Sequence, residues 1–138
     1  MALDEIRNTK IKKVEELRKS GIDPYPASSS RTHKISDALD DFEKLSFQKE
    51  DITLAGRILA RREHGGSTFF DINDGSAKVQ GFIKEDIVGA DQYDVFKNFI
   101  DTGDFVEIKG FLFNTKKDEK TLEVKEFKLL TKALLPLP

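Results

Sequence analysis

Residues 52–83, ITLAGRILARREHGGSTFFDINDGSAKVQGFI, decide the fold of this chain. Apolar residues recur in three short runs, and residues typical of turns separate them: Gly65-Gly66 after the first run and the tetrapeptide 73–76 (NDGS) after the second. The pattern predicts three consecutive β-strands, at residues 52–60, 68–72 and 78–83. Because a glycine inside a strand is typical of a bend or bulge, Gly56 indicates curvature in the long first strand.

The rest of the chain beyond this stretch adds one helix and two strands. Tyr93, Phe96 and Ile100 recur at helical spacing and predict a helix over residues 92–100. Alternating residues then predict strands at 106–112 and 122–130, separated by a polar turn at 116–119. Five strands with a helix between the third and the fourth are the plan of an OB-fold barrel. We therefore predict an all-β core of that type.

The first fifty residues differ from the predicted barrel in their pattern. Apolar residues at helical spacing between Leu3 and Leu17 predict an N-terminal helix over residues 3–20, and Gly21 stands where a helix commonly ends. A linker rich in proline and serine follows. A second short helix is predicted at 36–45, with Ser36 as its N-cap. The predicted organisation is a helical extension (1–50), the barrel (51–130) and the start of a linker (131–138).

Composition and charge exclude several classes of protein. The net charge of −2 argues against nonspecific coating of nucleic acid, which depends on many phosphate contacts, but it allows a basic site on one face. The sequence has no cysteine, so disulfides and thiolate metal sites are excluded. No apolar run approaches the roughly 18 residues that a membrane span needs. The charged N-terminus is unlike a signal peptide, and we expect a cytoplasmic protein.

Conventional catalytic motifs are absent from the sequence. It contains neither a phosphate-binding loop nor a nucleophile elbow. His33 and His64 fall in a predicted linker and a predicted turn, where we expect surface side chains rather than metal ligands. The acidic residues between Asp37 and Glu43 fit the solvated face of a short helix better than a cation site. We expect no catalytic residue, no metal and no cofactor in this chain.

A binding surface is predicted on the second strand. Alternation places Phe70 and Ile72 on the core side and Phe69 and Asp71 on the outside. An outward phenylalanine on an OB-fold sheet offers a platform on which a base can stack, at about 1–3 kcal/mol for each base. The alternative is that Phe69 packs under a loop or under the N-terminal helix.

Polar residues near Phe69 strengthen the prediction of a nucleic-acid site. The amide of Gln80, on the adjacent strand, both donates and accepts, which matches the N3 donor and O4 acceptor of uracil. Arg61 and Arg62 end the first strand and can contact phosphate or stack on a base. Glu119, in the last turn, can accept a hydrogen bond from a base edge. Together these side chains favour single-stranded RNA as the ligand.

Several segments resemble class II aminoacyl-tRNA synthetases. The stretch LAGR (54–57) and six later positions resemble the anticodon-binding domains of the aspartate, asparagine and lysine enzymes: Arg61, Arg62, Gly65, Phe69, Asp74 and Gln80. Two further segments resemble the lysyl-tRNA synthetases in particular, between Arg18 and His33 (with GIDPYP at 21–26) and at 129–138 (LLTKALLPLP). The resemblance covers essentially the whole chain, and in the family the second segment leads into the catalytic domain.

The resemblance implies roles for individual residues. Phe69 would stack on an anticodon base, and Gln80 and Glu119 would read the edge of a uridine, the middle one of a UUU anticodon. Arg62 is favoured over Arg57 and Arg61 as a contact to the anticodon loop. The N-terminal helix, unless it is merely solvated, would contact the tRNA backbone through its basic residues, Lys10, Lys12, Lys13, Arg18 and Lys19.

Two turns depart from the family pattern. Gly66 stands where a lysine often follows the glycine of the first turn, and Asp118-Glu119 replaces the usual Gly-Glu in the last turn. These changes affect the geometry of the loops and leave Phe69, Gln80 and Glu119 in place.

The apolar end around Leu134, Leu135 and Leu137 predicts that the chain is the N-terminal fragment of a lysyl-tRNA synthetase. By resemblance, the ATP, magnesium and lysine sites of that homodimeric enzyme would lie beyond Pro138. We expect the chain alone to be catalytically silent and to bind lysine tRNA weakly. Two alternatives stay open: a free-standing OB-fold module for single-stranded nucleic acid, and a protein–protein interaction domain.

Overall fold

A computed structural model describes residues 30–133 of the chain. The predicted N-terminal helix at 3–20, the linker after it and the apolar end at 134–138 lie outside the described residues. So do the predicted backbone contacts Lys10, Lys12, Lys13, Arg18 and Lys19.

The described residues form four helices and five strands. Two short helices come first, α1 (Ile35–Asp40) and α2 (Phe42–Gln48). Three consecutive strands follow, β1 (Ile52–His64), β2 (Ser67–Asn73) and β3 (Lys78–Lys84). Two helices separate them from the last two strands: α3 (Glu85–Val88) and α4 (Ala90–Phe99). The strands that end the fold are β4 (Phe105–Asn114) and β5 (Lys120–Thr131).

The five strands close into a barrel in the order β1-β2-β3-β5-β4. Closure depends on the length of β1. Its first half, from Ile52 to Arg57, pairs antiparallel with β4, and its second half, from Arg57 to His64, pairs antiparallel with β2. The remaining gap is closed by β3 and β5, the one parallel pair among these five strands. The predicted all-β plan, with helical structure between the third and fourth strands, is confirmed.

Gly56 lies where β1 passes the end of β2. A Cβ at this position would come within 3.0 Å of the carbonyl oxygen of Asn73, so a side chain would press directly on backbone. The shift in register between β1 and β2 falls further along the strand, between Ile58 and Ala60. The glycine therefore permits a close approach of two strands, and the bulge lies elsewhere.

Helix α4 covers one end of the barrel through Tyr93 and Phe96, which are both buried. The Tyr93 hydroxyl and the Thr68 hydroxyl are 2.9 Å apart, and the Phe96 ring lies 5.0 Å from the Phe70 ring between centroids. Phe70 in turn lies over Gly81, its partner on β3, where an added Cβ would meet the ring at 2.4 Å. This packing commits Phe70 to the core and leaves Phe69 on the opposite face of β2.

A buried ion pair holds the end of β5. The Nζ atom of Lys132 lies 2.6 Å from Asp104 and 2.8 Å from Asp101, and it also donates to the Phe99 carbonyl. Lys132 and Asp104 have fully buried side chains, and such charges are tolerated because each is paired and hydrogen-bonded. Within the segment expected to be a linker, Thr131 thus belongs to β5 and Lys132 to the packed barrel.

The N-terminus of α1 is capped from a distant turn. The helix begins at Ile35 and its N-cap, Lys34, makes no side-chain cap, so the prediction that Ser36 caps the helix is wrong. Instead the Asp74 carboxylate accepts from the Ile35 N–H at 2.9 Å, and the Ser76 hydroxyl accepts from the Ser36 N–H at 3.1 Å. The predicted single helix is divided at Asp41, where α1 ends and α2 follows.

Asp74 is the centre of this cap. Burial raises the pKa of its carboxyl. Hydrogen bonds from the N–H of Ile35, from the hydroxyl and N–H of Ser76 and from the N–H of Ala77 together lower the pKa by more, so it lies below the ordinary 3.8. The ionised form is therefore the one that the folded state prefers. A negative charge at a helix N-terminus also complements the helix dipole.

No helix among residues 30–133 is long and apolar enough to cross a membrane.

We predict that Asp74→Asn lowers the free energy of unfolding at neutral pH by about 1–3 kcal/mol, because charge-assisted hydrogen bonds are lost. The difference in the free energy of unfolding between the variant and the original chain should have its full value above pH 3.8 and should shrink as the pH falls below that value. Urea unfolding over a pH series measures it. Asp94→Asn, an exposed change on α4 that removes the same charge, is the control. A difference that stays constant down to about pH 2 would contradict the assignment of the charged cap.

Candidate functional site

A groove of about 730 Å³ opens between the second half of β1, the outer face of β2 and β3, and the β4–β5 turn. Four of the predicted site residues line it: Phe69, Gln80, Glu119 and Arg62. The strand register explains this convergence, because Arg62 pairs with Phe69 and Asp71 pairs with Gln80. The other lining residues are His64, Asp71, Thr115, Lys116 and Lys117.

Phe69 is half-buried and supported from one side. Its ring stacks on Phe82 of β3, with centroids 4.5 Å apart and planes inclined by 27°. The His64 ring meets it edge-on at 6.1 Å. Phe82 thus braces a ring that also lines the groove, and such a braced ring suits a stacking platform.

Gln80 is 7% exposed and its amide is held at both ends. Its Oε1 accepts from Nη2 of Arg62 at 2.8 Å, and its Nε2 donates to the Thr121 hydroxyl at 3.0 Å. An amide has two N–H groups and two carbonyl lone pairs, so one donor and one acceptor position remain for a ligand. Arg62 also lies 3.7 Å from Asp71, which orients the guanidinium along the groove wall.

Glu119 is exposed at the end of the β4–β5 turn. Its N–H donates to the Thr115 hydroxyl at 3.1 Å, and its carbonyl accepts from the Thr115 N–H at 3.0 Å. The preceding Asp118 has a φ of 60°, in the left-handed region. The departure from the family's glycine is therefore accommodated, because aspartate tolerates this conformation better than most residues.

Arg57 and Arg61 lie away from the groove. The Arg61 guanidinium donates to the carbonyls of Ile100 and Lys97, and it lies 5.4 Å from the centroid of the Phe96 ring. Arg57 lies over the Phe105 ring at 4.9 Å. Arg61 thus fastens α4 to the barrel, and the structure does not bring these two arginines to Phe69.

Lys116 and Lys117 are groove residues that the sequence pattern indicated only as part of a polar turn. Both are exposed and lie beside Glu119, so the turn presents two cations as well as a carboxylate. The signal was present in the sequence as a lysine pair that only Asp118 separates from Glu119, a predicted base-reading residue. Nothing in the sequence pattern alone showed that the turn faces Phe69.

The described residues contain no group of three or more histidine, cysteine, aspartate or glutamate side chains that could hold a metal ion. A second cavity, of about 780 Å³, lies near α3, α4 and β5 and shares no lining residue with the groove. Its lining includes Glu107, Lys109 and Phe127.

The sequence of the barrel matches a known family. The model of the OB-fold nucleic acid binding domain matches residues 52–130. The chain belongs to this family. The matched residues, 52–130, include every residue that lines the groove.

Lysine–tRNA ligases are similar to almost the entire chain. The enzyme of Thermosipho africanus is 41% identical over 99% of this chain and 28% of its own length. That of Thermotoga maritima is 36% identical over the same shares, and that of Carboxydothermus hydrogenoformans is 39% identical over 99% of this chain and 27% of its own length. The resemblance to lysyl-tRNA synthetases is confirmed. The chain spans little more than a quarter of these relatives, 28% of the first.

The left-handed conformation of Asp118 in the β4–β5 turn leads to a prediction about stability. Asp118→Val should lower the free energy of unfolding by about 1–2 kcal/mol, because a β-branched residue is strained at a φ of 60°. Asp118→Gly should change it by less than about 0.5 kcal/mol, since glycine adopts this conformation freely. Chemical denaturation measures both, with Lys117→Val as the control at the neighbouring position. Equal effects of valine at 117 and 118 would contradict the strain argument.

Proposed function

We propose that this chain binds the anticodon loop of a lysine tRNA, as the anticodon-binding part of a lysine–tRNA ligase. The observation that carries the proposal is the convergence of Phe69, Gln80 and Glu119 on one groove. Membership of a nucleic-acid-binding OB-fold family and similarity to lysine–tRNA ligases over 99% of the chain support it.

Stacking supplies the sequence-independent part of the binding. An anticodon base lies on the open side of Phe69, whose other side rests on Phe82. Each stacked base contributes about 1–3 kcal/mol. Arg62, Lys116 and Lys117 contact the adjoining phosphates. The carboxylates of the groove repel phosphate, so the phosphates lie along its basic side chains.

Hydrogen bonds to base edges supply the specificity. The free positions of the Gln80 amide complement the N3 donor and O4 acceptor of a uridine, the middle base of a UUU anticodon. Glu119 accepts from a neighbouring base edge, and its charge repels phosphate, so it suits base reading. Arg57 and Arg61 have no part in these contacts, whereas the basic residues of the N-terminal segment remain proposed contacts to the tRNA backbone.

The attachment of lysine to tRNA belongs to the larger protein in this proposal. ATP and magnesium act there, in a homodimeric cytoplasmic enzyme of protein biosynthesis, as they do by resemblance in the family. This chain contributes recognition and no chemical step.

A first prediction concerns stacking. Phe69→Ala should weaken binding of a UUU anticodon stem-loop by roughly 5- to 150-fold, since a stacking contact worth about 1–3 kcal/mol is removed. Fluorescence anisotropy with labelled RNA measures the affinity. Phe47→Ala is the matched control, because Phe47 is 89% exposed on α2 and lies outside the groove.

Binding measurements together with sedimentation separate the competing functions. Equal affinity for UUU and CCC loops at matched salt favours a nonspecific single-strand binder. A Phe69→Ala variant that keeps RNA affinity but changes its sedimentation favours a protein–protein interface. Either result contradicts the proposed recognition of an anticodon.

A second prediction concerns Lys116 and Lys117. The double variant K116Q/K117Q should weaken UUU and CCC loops by similar factors and should reduce the slope of log affinity against log salt by roughly 0.7–1 for each lysine. The control K44Q/K97Q removes the same charge from exposed positions on α2 and α4. Identical salt slopes in the two double variants would show that the turn lysines do not touch phosphate.

A further inference from the structure

A chain of hydrogen bonds runs beneath the groove and joins its two base-reading residues. Arg62 donates to the Gln80 carbonyl at 2.8 Å, and the Gln80 amide donates to the Thr121 hydroxyl at 3.0 Å. The Thr121 hydroxyl donates in turn to the backbone carbonyl of Glu119, also at 3.0 Å. We propose that Thr121 is a positioning residue that fixes the orientation of the Gln80 amide and so makes the groove select uridine over cytidine. This inference rests on the proposed function.

The inventory of donors determines which way the amide points. A guanidinium only donates, so the side of Gln80 that faces Arg62 must be the oxygen. A hydroxyl has a single proton, and Thr121 gives its proton to the Glu119 carbonyl. Toward Gln80 the hydroxyl can therefore only accept, and the side that faces it must be the NH₂ group. A reversed amide would place donor against donor at Arg62 and acceptor against acceptor at Thr121.

Burial makes this orientation strongly preferred. Thr121 is 0% exposed and Gln80 is 7% exposed, so water cannot readily replace a lost partner. Losing one buried hydrogen bond shifts such an equilibrium by roughly ten-fold. With both ends of the amide constrained, the reversed orientation is nearly unpopulated.

The orientation matters because the two pyrimidines present opposite edges. Uracil offers a donor at N3 and an acceptor at O4, whereas cytosine offers an acceptor at N3 and a donor at N4. A carbonyl oxygen and an N–H held at fixed places complement one of these edges. The reversed amide complements the other, for a base stacked in the same position on Phe69. The direction of the amide thus determines which of the two bases it can hydrogen-bond.

The position of Thr121 connects it to both base-reading residues, Gln80 and Glu119. It is the partner of Gln80 in the parallel pairing of β3 with β5, and it follows the β4–β5 turn that carries Glu119. One hydroxyl therefore holds the amide on β3 and the backbone of the turn. Loss of the hydroxyl would remove one hydrogen bond from each group, while Arg62 still contacts the amide and Thr115 still contacts the Glu119 backbone.

The test compares stem-loops that differ in one base, UUU and UCU, binding to the full chain. The original chain should prefer UUU. Thr121→Val, which keeps the shape and removes the hydroxyl, should reduce the UUU/UCU affinity ratio by roughly ten-fold, because one buried hydrogen bond no longer orients the amide. Thr121→Ser keeps the hydroxyl and should preserve the ratio within about two-fold. Thermal unfolding verifies that each variant is folded.

The outcomes are distinct. An unchanged ratio in Thr121→Val, or an equal loss in Thr121→Ser, overturns the positioning role while the preference of the original chain for UUU leaves the proposed function standing. If the original chain binds UUU and UCU equally, both the uridine reading and the role of Thr121 fail. Should Thr121→Val not fold, Thr121→Cys replaces it with the same expected loss, since a thiol is a weak donor and acceptor.

Discussion

The double pairing of β1 is the constraint on which the rest of the structure depends. One continuous strand, Ile52–His64, hydrogen-bonds to β4 along its first half and to β2 along its second. Without this transfer the five strands would form an open sheet with two unpaired edges, which natural proteins have to protect against pairing with other chains. The transfer brings backbone close to backbone at Gly56, where an added Cβ would lie only 3.0 Å from the Asn73 carbonyl oxygen. Closure then determines which side chains are inside and which are presented outside.

The groove is a consequence of that closure. The second half of β1 brings Arg62 opposite Phe69, and the parallel contact between β3 and β5 brings Thr121 opposite Gln80. Residues that are far apart in the chain thus meet on one outer face, while the turn after β4 folds over its rim. The face combines a braced aromatic ring, an oriented amide and mixed charges. Such a surface suits a short unpaired stretch of nucleic acid better than an extended duplex, because unstacked bases expose both their faces and their edges.

Much of this arrangement was accessible from local patterns. Strand alternation predicted that Phe69 faces outward and Phe70 inward, because the period of a strand is strict. The partners of side chains were harder to predict. Arg61 and Arg62 are neighbours in sequence and point to opposite faces, so Arg61 holds α4 while Arg62 holds Gln80. The cap of α1 escaped prediction because its carboxylate, on Asp74, comes from a turn beyond two strands.

The sequence by itself determined the class of fold, the order of the strands along the chain and a set of candidate side chains for binding a base. These follow from periodicity and turn chemistry, which act over a few residues. The tertiary structure alone decided which of those side chains meet, and it added Lys116 and Lys117 to the groove and Thr121 beneath it. The reason is physical: a hydrogen bond such as the one from Gln80 to Thr121 depends on how distant strands align when the barrel closes. No local pattern encodes that alignment.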